Sequence, residues 1–122
     1  VVGMRVVASR KAQQAAALIL LRFQRKDNME AQTKEAMDIL QEECAEVIQA
    51  VSKISRFGLD NLKPGKSKTN REHLEEELGD MMAMVEILQE LDIVSFTNIE
   101  RAAEAKREKL KIWSNIFSKD NV

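Results

Sequence analysis

The sequence predicts an all-α protein, and three observations carry that expectation. Ala, Leu, Glu, Lys, Met and Gln, all good helix formers, are abundant, whereas aromatics make up 4% of the chain and Tyr is missing. One Pro and four Gly leave little turn material for a β fold. Apolar residues recur in steps of three and four over long segments, the helical period. A chain of 122 residues fits one domain, residues 1–122, able to bury roughly two-thirds of its unfolded surface. The expected architecture is a four-helix bundle that assembles into an oligomer.

Residues 1–8 read as an irregular N-terminal segment, and Val1-Val2-Gly3 ahead of Met4 stand outside the helical pattern. A first helix over about 9–25 gathers Ala12, Ala15, Ala16, Ile19, Leu20 and Phe23 on one side. Asp27-Asn28-Met29-Glu30 has the pattern of a capping box, in which an N-cap oxygen is answered by a Glu three residues on. It opens a second helix over about 28–56, whose seam is Met37, Leu40, Cys44, Val47, Val51 and Ile54. Gly58, Pro64 and Gly65 mark residues 57–69 as a connector, long for a helical pair and therefore a candidate for function. Thr69-Asn70-Arg71-Glu72 is a second capping box, starting a helix to about Leu91 with Leu74, Leu78, Met81, Val85 and Leu88 as its seam. Thr97-Asn98-Ile99-Glu100 is a third, starting a last helix through about Phe117 with Ile99, Ala102, Ala103, Leu110 and Trp113 on its apolar side.

A net charge of −1 gives no global steering toward nucleic acid or a membrane surface. Charge is segregated locally instead. Residues 1–26 hold six Lys or Arg and no acid. Residues 53–71 carry Lys53, Arg56, Lys63, Lys66, Lys68 and Arg71 against Asp60 alone, and residues 72–80 carry Glu72, Glu75, Glu76, Glu77 and Asp80. A basic connector thus runs straight into an acidic helix. The single cysteine, Cys44, excludes an intrachain disulfide and suits a reducing cytoplasm, where a small buried hydrophobe is its plain role. The longest apolar run, Ala15 to Leu21, is too short to span a bilayer. Arg22, Arg25 and Lys26 follow it with no small-residue cleavage site, which argues against secretion.

The chemistry is concentrated in two carboxylate pairs. Glu43 and Glu46, and Glu77 and Asp80, are each spaced i, i+3, so each pair shares one helix face. Each pair is followed one residue later by an apolar pair of the same spacing, Cys44 with Val47 and Leu78 with Met81, which puts the acids beside the packing seams. Packed seam to seam, the two helices bring four acids together. Burying such a cluster costs several kcal/mol per charge unless it is neutralised. A hard divalent cation does so, and Mg²⁺ suits a few carboxylates plus substrate phosphates and water. The acidic helix also carries like charges at i, i+4, Glu72 with Glu76 and Glu76 with Asp80, together with Gly79 in its interior. These cost about 0.2–0.5 kcal/mol per pair and about 1 kcal/mol for the glycine. Helix stability alone would not select them, although the glycine also fits a close helix approach.

Glu43-x-x-Glu46 and Glu77-x-x-Asp80 on consecutive helices resemble the ExxE...ExxD signature of the all-α nucleoside triphosphate pyrophosphatase (MazG-like) superfamily. The resemblance covers about residues 28–117 and includes Glu76-Glu77-Leu78-Gly79-Asp80, with 30 residues between the pairs, slightly more than is usual. It implies a four-helix MazG fold and hydrolysis of an NTP or dNTP between the α and β phosphates, dependent on Mg²⁺ with Mn²⁺ as a substitute. Dimers or tetramers, with sites often lying between protomers, are implied as well. All four acids would be metal ligands, with Glu43 also the base that orients water. Ser52-Lys53-Ile54-Ser55-Arg56-Phe57-Gly58 looks like a stretch of phage-encoded members, which would place the protein in a host cytoplasm. That likeness tilts the expected substrate toward dGTP, as in the branch that feeds 2-aminoadenine synthesis.

Lys53 and Arg56 are candidate phosphate holders, with favourable interaction at a helix C-terminus as their plain alternative. Lys106 and Lys109 resemble family cations that reach the phosphates. Lys66 and Lys68, nearer the connector's tip, are expected to be screened and peripheral. Trp113 reads as core or interface, His73 as a solvated helix residue, and Met81, Met82 and Met84 as core filler. The competing functional readings are a non-catalytic helical adaptor and a phosphoribosyl-ATP pyrophosphohydrolase.

Overall fold

A computed structural model of the chain describes residues 9–118, and the expected irregular segment at 1–8 lies outside them. The described residues form three helices, α1 (Arg10–Phe57), α2 (Asn70–Glu90) and α3 (Phe96–Trp113), with no strand among them. The expected first and second helices are one. Asp27-Asn28-Met29-Glu30 does not start a helix but lies inside α1. The reason is physical: Asp and Asn cost only a few tenths of a kcal/mol each in a helix interior, no Gly or Pro interrupts the segment, and each continued residue adds a backbone bond. Lys26 and Glu30, 3.9 Å apart at i, i+4, bridge the very turn where a break was expected.

The chain divides into two units, one ending at Glu35 and one beginning at Ala36. The first is a single helical segment. Its described residues are exposed except Thr33, whose hydroxyl donates to the Met29 carbonyl at 2.8 Å. Leu18, Ile19, Leu20, Leu21 and Phe23 all face solvent.

The second unit contains the core, in which Ala36, Met84 and Leu88 are buried and Ile39, Leu40, Leu91, Ile93 and Val94 pack against them. The covered line on α1 runs through Ala36, Leu40, Glu43, Val47, Ala50 and Ile54, and that on α2 through Leu74, Glu77, Met81, Met84, Leu88 and Leu91. Both alternate steps of three and four, but they are rotated from the expected seams. Met37, Val51 and Leu78 are exposed, while Glu77 retains only 9% exposure. The expected seams followed the largest apolar side chains. The real one on α1 includes Ala36 and Ala50, whose small side chains let neighbouring elements cover the backbone, and it runs through the acids rather than beside them. Among the methionines, Met84 fills the core, Met81 is half-buried and Met82 is exposed.

Local chemistry explains the remaining boundaries. At α2 the expected capping box forms: the Glu72 backbone N–H donates to Thr69 Oγ1 at 3.2 Å, and the Thr69 backbone N–H donates to Glu72 Oε2 at 2.8 Å. At its other end Asp92 adopts a left-handed φ of 58°. The Asp92 N–H then reaches the Gln89 carbonyl and the Ile93 N–H the Leu88 carbonyl, both at 2.9 Å, a Schellman closure that turns Ile93 back onto Leu88. This early reversal moves the next helix start. Ser95, extended and without a side-chain capping bond, is the N-cap of α3, so Thr97 lies within the first turn and the third expected box is not used. The helix ends at Trp113 rather than Phe117. It buries no residue, and Trp113 is 84% exposed, which removes it from the core of the chain.

Candidate active site

Three of the four signature acids converge. Glu43 from α1 and Glu77 and Asp80 from α2 present carboxylate oxygens that all lie within 4.8 Å of one another. Glu43 is half-buried and Asp80 exposed, so the group opens to solvent on the Asp80 side. The fourth acid, Glu46, is exposed and does not join them at that distance. It still acts on Glu43 through its charge. The Glu43 carboxyl is pushed above its usual range, first by desolvation and then by the charges of Asp80, Glu77, Glu42 and Glu46. Each of these charges on Glu43 is another carboxylate, whereas Asp80 also feels Lys68 and Glu77 lies against His73. The like charges noted along α2 are otherwise absorbed: Glu72 is spent in the capping box, and Glu76 accepts a 2.7 Å hydrogen bond from Lys68 that holds its carboxyl below the usual range.

A group whose native pKa is raised contributes stability that is present below its unfolded pKa and lost as pH rises through the native value. Glu43 should therefore make the metal-free protein less stable at pH 7 than at pH 5. The Glu76 pair works the opposite way, so the difference between variants is the clean measure. Glu43→Gln is expected to raise the chelator-treated melting temperature at pH 7 and to flatten its rise toward pH 5. Unchanged pH profiles for the two proteins would contradict this coupling.

Beside the acids lies a cleft of about 790 Å³, lined by Lys53, Arg56 and Phe57 from the end of α1, by Asn61, Lys63, Pro64, Lys66, Ser67 and Lys68 from the connector, and by His73 and Glu76 from α2. Arg56 lies over the Phe57 ring, 5.2 Å from its centroid. The connector is fastened at its base. The Asn70 side chain donates to the Gly58 carbonyl at 2.9 Å, the Arg71 backbone N–H to the Leu59 carbonyl at 2.8 Å, and Arg71 pairs with Asp60 at 3.1 Å. The expected candidates Lys53 and Arg56 thus share one cleft, and Lys66 and Lys68, expected to be peripheral, line it too. Lys106 and Lys109 are exposed on α3 and are not among its lining residues.

His73 is the residue that sequence reasoning missed. Its Nδ1 lies 3.2 Å from Glu77 Oε1, and its ring also lines the cleft. A His one turn before an acid that faces a second acid pair was the available signal, since i, i+4 neighbours on a helix touch. Gly79, in contrast, does not serve a close helix approach within the chain, because a Cβ there would meet nothing within 4 Å.

The fold and the site define an all-α protein in which a pair of helices sets three carboxylates beside a cationic cleft. The chain matches the model of the MazG nucleotide pyrophosphohydrolase domain over residues 31–112, about two thirds of its length. It belongs to that family, and is a hydrolase of the nucleotide pyrophosphatase type. No curated protein and no solved structure matched it. None of its described helices is long and apolar enough to cross a membrane.

Proposed function

We propose that the protein hydrolyses a nucleoside or deoxynucleoside triphosphate between the α and β phosphates, giving the monophosphate and pyrophosphate, with Glu43, Glu77 and Asp80 holding Mg²⁺ and Glu46 acting as an outer fourth carboxylate. The convergence of three carboxylates within 4.8 Å supports this most directly. The donor set is all oxygen and anionic, which fits Mg²⁺ or Mn²⁺ and disfavours softer metals. When bound, such an ion would offset the phosphate charge that develops during cleavage and acidify a coordinated water. The chain's own residues do the rest. Glu77, almost buried and braced by His73, is fixed in place, while Asp80 faces the solvent side from which substrate enters. Glu43, its basicity raised by burial and by its neighbours, is suited to take a proton from the attacking water. Lys53 and Arg56 hold phosphate oxygens by charge-assisted hydrogen bonds.

Assembly belongs to the same reading. Large apolar side chains of the second unit stand uncovered. Ile48, Met82, Ile87, Ile112 and Trp113 are all open to solvent. A second copy of the chain covers such surface, giving a dimer or a dimer of dimers, and sedimentation at micromolar concentration should find no stable monomer. The function itself is tested with a panel of the eight common NTPs and dNTPs, with Mg²⁺ and with chelator. Release of pyrophosphate and a monophosphate only with the cation is expected, with dGTP preferred, as the likeness of Ser52–Gly58 to phage members suggests. Orthophosphate as the product, or no thermal stabilisation by Mg²⁺ plus nucleotide, would favour an adaptor or a different hydrolase.

A further inference from the structure

Gly79 has no use within its own chain. A Cβ there would meet nothing within 4 Å, and it stands on the outer face of α2 in an exposed stripe of Glu75, Gly79, Met82 and Glu86. Steps of four, three and four residues keep these on one face of the helix, so the glycine makes a notch between larger side chains. Its acids are little answered. Glu86 makes no ion pair among the described residues, and Glu75 acts by its charge on Arg71.

The first unit carries the counterpart. Lys11, Ala15, Leu18 and Arg22 repeat the same steps along α1, all exposed, with cations where α2 has acids. Leu18 is 62% exposed, and neither Lys11 nor Arg22 makes an ion pair among the described residues. The units differ in charge in the same sense: residues 1–35 hold seven Lys or Arg against three acids, and residues 36–122 hold twelve against seventeen. Run antiparallel, the two stripes set Lys11 against Glu86 and Arg22 against Glu75. Leu18 then enters the notch at Gly79 and Met82 lies over Ala15, so each large side chain meets a small one and the helices interdigitate. Run parallel, the charges still match, but Leu18 meets Met82 and the notch meets Ala15. An anionic membrane or a nucleic acid would answer Lys11 and Arg22 and leave the acidic stripe of α2 bare, whereas a second copy of the chain covers both. We propose that the N-terminal stretch of α1 in one copy docks antiparallel on the outer face of α2 in a second copy, which returns the contact by the two-fold symmetry usual in homodimers. This rests on the oligomer proposed above and names the surfaces that form it.

Sedimentation equilibrium of the full chain at low ionic strength tests the docking. Arg22→Glu sets two acids opposite each other and Glu75→Arg two cations, so each should weaken self-association about tenfold. Helical content should not change, because both side chains are exposed. An equimolar mixture of the two variants should associate as tightly as wild type, since the reversed charges meet between copies, and no contact within one chain can produce that recovery. Gly79→Leu, whose Cβ meets nothing in its own chain, should weaken association by filling the notch. Arg101→Glu, on α3 and outside both stripes, should change nothing. Recovery on mixing Arg22→Glu with Glu86→Arg instead would overturn the antiparallel arrangement, and two weakened variants that do not recover on mixing would overturn the docking. The two readings fail separately: a wild type that associates while Arg22→Glu and Glu75→Arg associate equally well keeps the oligomer and removes this interface. A wild type that stays monomeric removes both, and if it binds vesicles of phosphatidylglycerol but not of phosphatidylcholine, with binding lost in Leu18→Glu, the stripe on α1 belongs to a membrane surface.

Discussion

Glu77→Gln is expected to abolish turnover while leaving a folded, helical protein that is more stable than wild type when no divalent cation is present. The substitution keeps the shape of a side chain that is only 9% exposed and lies on the covered line of α2, so packing is preserved. It removes one of three charges held within 4.8 Å, which relieves repulsion in the metal-free state. The same charge is needed to hold the cation, and loss of that electrostatic contribution is worth several kcal/mol in the transition state, more than about a hundredfold in rate. Asp80→Asn should behave alike. Glu46→Gln should do less, because Glu46 stands outside the converged set. Rates at saturating Mg²⁺, paired with melting curves in chelator, give the answer. If Glu77→Gln kept more than about a tenth of the wild-type rate, or if Glu46→Gln proved the most damaging of the three, the assignment of ligands would be wrong.

What the sequence made legible, and what it did not, follows from the range of the interactions involved. The Thr69 capping box is local: two side chains and two backbone N–H groups within four residues determine it, and it forms as expected. The Asp27 box has the same pattern of N-cap oxygen and Glu three residues on but no breaker before it, and a helix already propagating from Arg10 passes through. The acids were legible as a spacing, yet their depth was not. Whether Glu77 flanks a seam or occupies it depends on a rotation of about one residue, and that rotation is set by Ala36 and Ala50, whose small size carries little weight in a reading of apolar periodicity. That Lys66 and Lys68 line the cleft was not legible for a related reason. Their place on the cleft depends on the turn at Lys63–Lys66 and on the fastening of Asn70 and Arg71 to residues 58–60, none of which periodicity records. The contact of His73 with Glu77 was within reach of i, i+4 reasoning and was passed over because a lone His on a polar face is usually solvated.

Arg56→Ala should lower catalytic efficiency by about 1.5–3 kcal/mol, or roughly ten- to 150-fold, with little change in stability. Arg56 is exposed at the end of α1 and makes no ion pair among the described residues. Its one recorded contact, the Phe57 ring at 5.2 Å, orients the guanidinium without neutralising it. A cation near a helix C-terminus does gain about 0.3–1 kcal/mol from the helix dipole, and that gain would appear as a loss of thermal stability in the variant. The two roles are therefore separable: a dipole cation costs stability and leaves kcat/KM alone, whereas a phosphate holder costs kcat/KM and leaves the melting temperature nearly unchanged. Arg56→Lys sharpens the comparison, since it keeps the charge for the dipole but loses the planar fork that meets two phosphate oxygens at once. Intermediate activity with wild-type stability is expected for Lys, and a deep loss of activity for Ala. Full activity in Arg56→Ala, with a lowered melting temperature that Arg56→Lys restores, would make Arg56 a structural cation and move the phosphate-holding role to Lys53 and the connector lysines.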